Sequence, residues 1–329
     1  GVLPPWLLAA AAALAGALAT FHLSALEESL EQARAQAHFA ALASEYAGKV
    51  LDRLRDSTSA MAALSSLHRA RRGLDRGAFD TFVPALLGQL RPPGLVAVLW
   101  LPRVPEADRA DFVARMRREV DPAYGIHPAP GTGEVQPVAY IAGAEEARAR
   151  ALGFDALSDP VRRAAMDRAI TEGRVAMTAP LVAATDPPGH GRGAVVMYLP
   201  VFAGTAPADA VARRQSVLGH VGAVFRMDEV AASVSDGLAG AHLRIVDLET
   251  QEPPWFASDS ALPERSRLTA DEVISFGGRL LKLEFRSTAA VERGLMPGAG
   301  RLTMGFGGTL TVVLALFVYY LASTGRRAE

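Results

Sequence analysis

Two uncharged apolar stretches, one near each end of the chain, constrain its architecture more than any other feature. Pro4 to Leu26 reads PPWLLAAAAALAGALATFHLSAL and meets no formal charge before Glu27. Leu302 to Ser323 reads LTMGFGGTLTVVLALFVYYLAS and is followed by Arg326 and Arg327. Each reaches the roughly 20 residues that a helix needs to cross a ~30 Å hydrocarbon core. A cleaved signal peptide is the alternative for the first stretch. It lacks a charged leading region, however, and a helical pattern runs straight on beyond it. Tyr319 and Tyr320, with the two arginines, give the second stretch an interfacial, positive-inside signature. Two spans put both ends on one side. The expectation is therefore a multi-pass membrane protein, in contact with lipid, with residues from about 25 to 300 extracytoplasmic.

The segment between the spans opens on a long helix. Phe39, Leu42, Tyr46, Val50 and Leu54 recur three and four apart, and Met61, Leu64 and Leu67 continue the stripe. A helix from Leu26 to Arg71 measures about 70 Å at roughly 1.5 Å per residue. It cannot bury its stripe alone, so it packs along a domain or against a second copy of itself. After Gly73 a second helical segment falls within Arg76 to Leu90, with a break or kink expected at Pro84. The period then changes. Leu95–Leu101, Val135–Ile141, Val175–Met177, Gly193–Phe202 and Val217–Met227 read as strands. Pro105–Val120 and Asp159–Glu172 read as helices, with Pro105 and Pro160 in their first turns and Gly173 just past the second. Pro207–Arg214 reads as a loop or boundary. A smaller unit follows, with a short helix at Asp228–Ser235 and strands at Ala241–Leu248, Trp255–Ala257 and Arg279–Phe285.

Several chemistries are excluded. The chain has no cysteine and a formal net charge of −1, which removes disulfides and thiolate chemistry and leaves no electrostatic footprint for nucleic acid. HExxH, GxSxG and GxxxxGK[ST] are absent. His190 lies between two glycines but has no second ligand at helical or strand spacing. Arg69, Arg71 and Arg72 read as a solvated helix end, and the neighbouring His68 lacks the acidic residue expected beside a phosphoacceptor histidine. Only isolated carboxylates are on offer, among them Asp108, Asp155 and Asp186. The chain is read as no enzyme, with no catalytic residue, no metal and no cofactor.

Five blocks in order carry a family resemblance. They are Leu99-Trp-Leu-Pro-Arg-Val104; Asp108-Arg109 with Phe112; Gly153-Phe-Asp-Ala-Leu-Ser158 with Arg162-Arg163-Ala164-Ala165; Thr178-Ala-Pro180; and Tyr198-Leu-Pro-Val-Phe202. Together they resemble the CHASE domain, the extracellular sensory module of plant cytokinin receptors and many bacterial receptors. The resemblance implies a stalk helix followed by two tandem PAS-like domains, with a small-molecule ligand in the membrane-distal one. In plant members an adenine derivative is held by an aspartate at the position that here is Asp155. A carboxylate there can accept N–H groups of a purine. Pocket walls are implied at Val138, Tyr140, Met177, Thr178, Val196 and Tyr198. Read without the family, Asp155 is a turn-capping residue before Ser158. Glu172 stands where the family tends to have threonine, and bacterial members respond to varied ligands, so the ligand is not fixed.

The expected fold class is α+β: two transmembrane helices flanking a long stalk helix and two tandem PAS-like domains. The expected boundaries are a first span over 4–25, a stalk over 26–72, a membrane-distal domain over 73–206 and a membrane-proximal domain over 207–300. A second span follows over 301–324, and 325–329 begin a cytoplasmic output region. Stalk and spans imply a homodimer, and Gly305-Phe-Gly-Gly308 offers small residues for close helix approach. The reading is a ligand-sensing region that signals to a cytoplasmic kinase or nucleotide cyclase. The competing reading is a membrane-anchored scaffold that binds a protein partner.

Overall fold

A computed structural model describes residues 4–71, 73–90, 92–187, 193–235, 240–250, 254–258, 265–296 and 298–325. His190, Arg72, Arg326 and Arg327 lie outside them. In chain order the elements begin with α1 (Pro5–Arg71), α2 (Arg76–Leu90), β1 (Leu95–Pro102), α3 (Arg109–Glu119), β2 (Tyr140–Gly143) and α4 (Glu145–Ala151). Next come α5 (Pro160–Glu172), β3 (Ala176–Met177), β4 (Ala194–Phe202), α6 (Ala210–Ser216), β5 (Val217–Arg226) and α7 (Met227–Ser235). The chain continues through β6 (Ala241–Asp247), β7 (Phe256–Ala257), β8 (Thr269–Phe276), β9 (Arg279–Ser287), α8 (Ala289–Leu295) and α9 (Ala299–Gly325). This is a mixed fold of helices and antiparallel sheet, with an apolar helix near each end.

The chain divides into two compact units, one of residues 1–42, 263–270 and 286–329, the other of residues 43–262 and 271–285. In the first unit, the start of α1 and all of α9 are long and apolar enough to cross a membrane, with mean hydropathy 1.7 and 1.8. The two helices approach along small residues. A Cβ at Gly16 would lie 2.7 Å from Thr311 Cγ2, and one at Gly307 would lie 2.5 Å from Thr20 Cγ2. Gly305 and Gly308 meet nothing within 4 Å, so the seam uses the glycine between them. Large apolar side chains such as Leu14, Phe21, Phe306 and Leu310 point outward. At the end of the seam Thr303 donates to the Glu27 carboxylate, and the Gly298 amide donates to Glu31 at 3.0 Å.

The second unit holds a five-stranded sheet in the order β2-β1-β5-β4-β3. β5 pairs with both β1 and β4 and is its central strand, so a division at residue 207 cuts through this sheet. The stretch read as a loop, Pro207–Arg214, instead enters α6, whose first turn is capped by Asp209 accepting from Ala212 N–H at 2.8 Å. α2 runs unbroken through Pro84. The strand expected over Val135–Ile141 is shorter: only Tyr140–Gly143 joins the β1 ladder, and Val135 and Pro137 form single bridges to Val104 and Asp155. A four-stranded sheet in the order β7-β6-β9-β8 includes β8, which the sequence reading lacked. Asp271 and Glu272 stand side by side in it and half of its residues are exposed, so no clean apolar alternation marks it.

Candidate functional site

Register decides which side chains share a face of the five-stranded sheet. Leu99 lies opposite Ile141 and Gly222, Tyr198 opposite Gly222 and Ala176, and Val196 opposite Val224. Directly paired residues point to the same side, so these line one inner face. α5 covers that face with Ala165, Met166 and Ala169, and Val138 joins the same buried cluster. The helix starts where it does because the Asp159 carboxylate accepts from Val161 N–H at 2.8 Å and Pro160 needs no N–H partner. It stops at Gly173, whose φ is +68°.

Asp155 lies at the edge of this interior. Its Oδ1 accepts from Gln136 N–H at 2.9 Å and from Leu157 N–H at 3.1 Å, while Oδ2 accepts no bond among the described residues. The bond to Leu157 is the turn-capping role read from the sequence. The bond to Gln136 joins Asp155 to a buried polar chain. The Gln136 side-chain carbonyl accepts from His220 Nδ1 at 2.7 Å, and His220 Nε2 is buried with no well-formed hydrogen bond among the described residues. Complete burial pushes the His220 pKa down to about 3, opposed in part by the Met166 backbone, so the ring is neutral near pH 7. The Tyr198 ring meets His220 edge-on at 6.0 Å. Burial raises the Tyr198 hydroxyl well above its ordinary range, and Arg162 works against that shift. Arg162 is itself buried. It donates to Asp159 and to the Val182 carbonyl at 3.0 Å and lies 4.8 Å from the centre of the Phe154 ring.

Of the residues proposed from the sequence, Val138, Val196 and Tyr198 come together on this inner face, with Asp155 at its edge. Thr178 is buried and ties β4 in place, its Oγ1 accepting from Val196 N–H at 3.0 Å. Tyr140 and Met177 point the other way. Tyr140 lies opposite Trp100, and its ring packs 5.6 Å from Phe79 of α2; Met177 lies opposite Met197. Asp186 forms an ion pair with Arg226. The sequence reading missed Gln136, His220 and Arg162 as members of the interior. One signal was available: His220 interrupts an otherwise apolar strand. Among the described residues no three His, Asp or Glu side chains gather as a metal site.

Fold and interior define an α+β domain carried between apolar helices, with a polar network sealed beneath one helix. A model of the CHASE domain matches residues 72–256, more than half of the chain, and the chain belongs to the CHASE family. It therefore contains an extracellular sensory domain of that family. No curated protein matches the chain. An extracellular ligand binding receptor from Desulfohalobium retbaense DSM5692 is similar in structure, with a TM-score of 0.45 and 10% sequence identity. That likeness covers 74% of this chain and 39% of the receptor.

Proposed function

We propose that the chain is the extracytoplasmic ligand-sensing region of a bacterial transmembrane receptor. It would pass ligand occupancy to a cytoplasmic kinase or nucleotide cyclase outside this sequence. Membership of a sensory family and the polar interior around Asp155 support this reading. The single observation that carries it is the chain Asp155–Gln136–His220, which ends in a buried ring nitrogen that makes no well-formed hydrogen bond among the described residues and has the Met166 backbone beside it. A buried ring nitrogen left without a well-formed hydrogen bond costs stability, and a bound molecule that pairs with it would repair it. An adenine-like ligand fits the donor pattern, with its N–H groups at Asp155 Oδ2 and its body among Val138, Thr178, Val196 and Tyr198.

On this reading the sheet ordered β2-β1-β5-β4-β3 is the membrane-distal PAS-like domain and the four-stranded sheet the membrane-proximal one. α1 and α9 anchor both ends in the inner membrane, and a homodimer forms through stalk and spans. Ligand acts by binding one arrangement of that dimer better than another. A thermal-shift screen of the intact chain in detergent, against N6-substituted adenines and nucleobases, tests the reading. A concentration-dependent rise in melting temperature that Asp155→Asn abolishes is expected. Absence of any shift would withdraw the purine and favour a protein partner on the scaffold reading.

A further inference from the structure

The face of the sheet away from Asp155 carries an open cleft. Trp100 and Tyr140 are cross-strand partners on that face, and such pairs have Cβ atoms about 5 Å apart. They form part of the floor of a cleft of about 510 Å³, walled by the end of α1, residues 73–75 ahead of α2 and one side of α3. That volume lies within the roughly 300–1,000 Å³ of small-molecule sites.

Three lining residues, His68, Trp100 and Tyr140, are each more than nine-tenths buried. His68 packs on Trp100 with ring centres 4.6 Å apart. Neither the His68 ring nitrogens nor the Tyr140 hydroxyl makes a hydrogen bond among the described residues, and these polar atoms open onto the cleft, where they are free to meet a ligand. Burial lowers the His68 pKa, so the imidazole is neutral and offers one donor and one acceptor. The Tyr140 pKa is raised, first by burial and then by Glu119 and Asp75, with Arg115 and Arg76 opposing.

The rim is of mixed sign. Arg71 and Arg115 make no ion pair among the described residues, and neither does Glu119, while Asp75 Oδ1 caps α2 through Ala78 N–H at 2.7 Å. A pure anion would meet the two carboxylates and a pure cation the two guanidinium groups. A molecule carrying both charges satisfies all four and can rest its body on the aromatic floor. We infer that this cleft is a second binding site, for a small zwitterion of the amino-acid type. Its carboxylate faces Arg71 and Arg115, its ammonium group faces Glu119 and Asp75, and His68 and Tyr140 supply directional hydrogen bonds. Because His68 and Arg71 belong to the last turn of α1, occupancy fastens the end of that helix to the sheet. The site is independent of Asp155, which lies beneath the opposite face.

The test uses the intact chain in detergent and the proteinogenic amino acids, one at a time at millimolar concentration, read by thermal shift and calorimetric titration. At least one is expected to raise the melting temperature. Arg115→Ala and Glu119→Gln, both at exposed positions, are each expected to weaken it about tenfold or more, as loss of a charge-assisted contact should. Asp155→Asn is expected to leave affinity unchanged. Failure of every amino acid to bind would overturn the site. So would binding that survives both rim substitutions, or binding lost in Asp155→Asn alone, which would assign the ligand to the other face.

Discussion

The backbone amide of Met177 donates a 2.8 Å hydrogen bond to the carbonyl of Gly277. Met177 lies in β3, the edge strand of the five-stranded sheet, and its N–H points away from β4. An unpaired edge amide is costly when buried, and the turn between β8 and β9 supplies its acceptor. Arg168 of α5 adds a second tie, donating to the Gly278 carbonyl at 3.0 Å. The tip of the β8–β9 hairpin thus holds both the edge of the five-stranded sheet and the helix above its polar interior.

Gly277→Ala should destabilise the chain by about 2 kcal/mol or more. Gly277 and Gly278 have φ of +58° and +73°, as a two-residue hairpin turn requires. Other residues lose about 1–2 kcal/mol in that region. A Cβ at Gly277 would also sit 2.8 Å from Met177 Cβ. Urea unfolding of the intact chain checks this; a midpoint equal to wild type would show that the tip contact contributes nothing.

Acid should weaken the fold through His220. Its folded pKa of about 3 lies below the ordinary 6.5, so between those values the unfolded chain binds the extra proton. The stabilisation is complete above about pH 6.5 and is lost as pH falls towards 3. At about pH 5 the loss is roughly 2 kcal/mol. His220→Gln should lose correspondingly less between neutral pH and pH 5. If urea midpoints of wild type and variant fall in parallel, the ring is not held neutral.

Asp155→Ala should cost about 1–2 kcal/mol, because Oδ1 serves both Gln136 and Leu157. Asp155→Asn retains an acceptor oxygen and should cost only a few tenths. Thermal unfolding of the two variants distinguishes them. Equal losses would mean that the negative charge, rather than the pair of accepted bonds, holds the turn.

A cysteine pair at Thr20 and Gly307 should close into a disulfide within one chain. The native sequence has no competing thiol, and a Cβ at Gly307 would lie 3.1 Å from Thr20 Cβ, near the distance a disulfide uses. Cysteine at Gly305 should give no such internal bond, since that position meets nothing within 4 Å. Gel mobility of protease-cleaved chains reports the result. Efficient internal bonding from Gly305 instead would show that the seam is rotated.

Much of the fold was legible because its signals are local. The uncharged runs beyond Pro4 and Leu302, the three-and-four spacing along α1, and Pro160 with Gly173 around α5 each act within a few turns of chain. The family blocks likewise singled out Asp155, which the fold sets at the edge of a buried polar chain. Adjacent residues of a strand point to opposite faces, so Met177 and Thr178 could not share one wall, and that too was readable. Tyr140 was not. Counting by twos puts it on the same face as Val138, but only Tyr140 onward joins the β1 ladder, while the Val138 amide turns to the Phe154 carbonyl at 3.0 Å. That break in pairing sends Val138 inward beneath α5 and Tyr140 out to the Trp100 cleft. Tertiary structure alone decided these placements, together with the contacts of Gln136 with His220 and Met177 with Gly277. Each of those pairs lies 84 or more residues apart in the sequence, and register and burial depend on which distant segments pair, which no local pattern encodes.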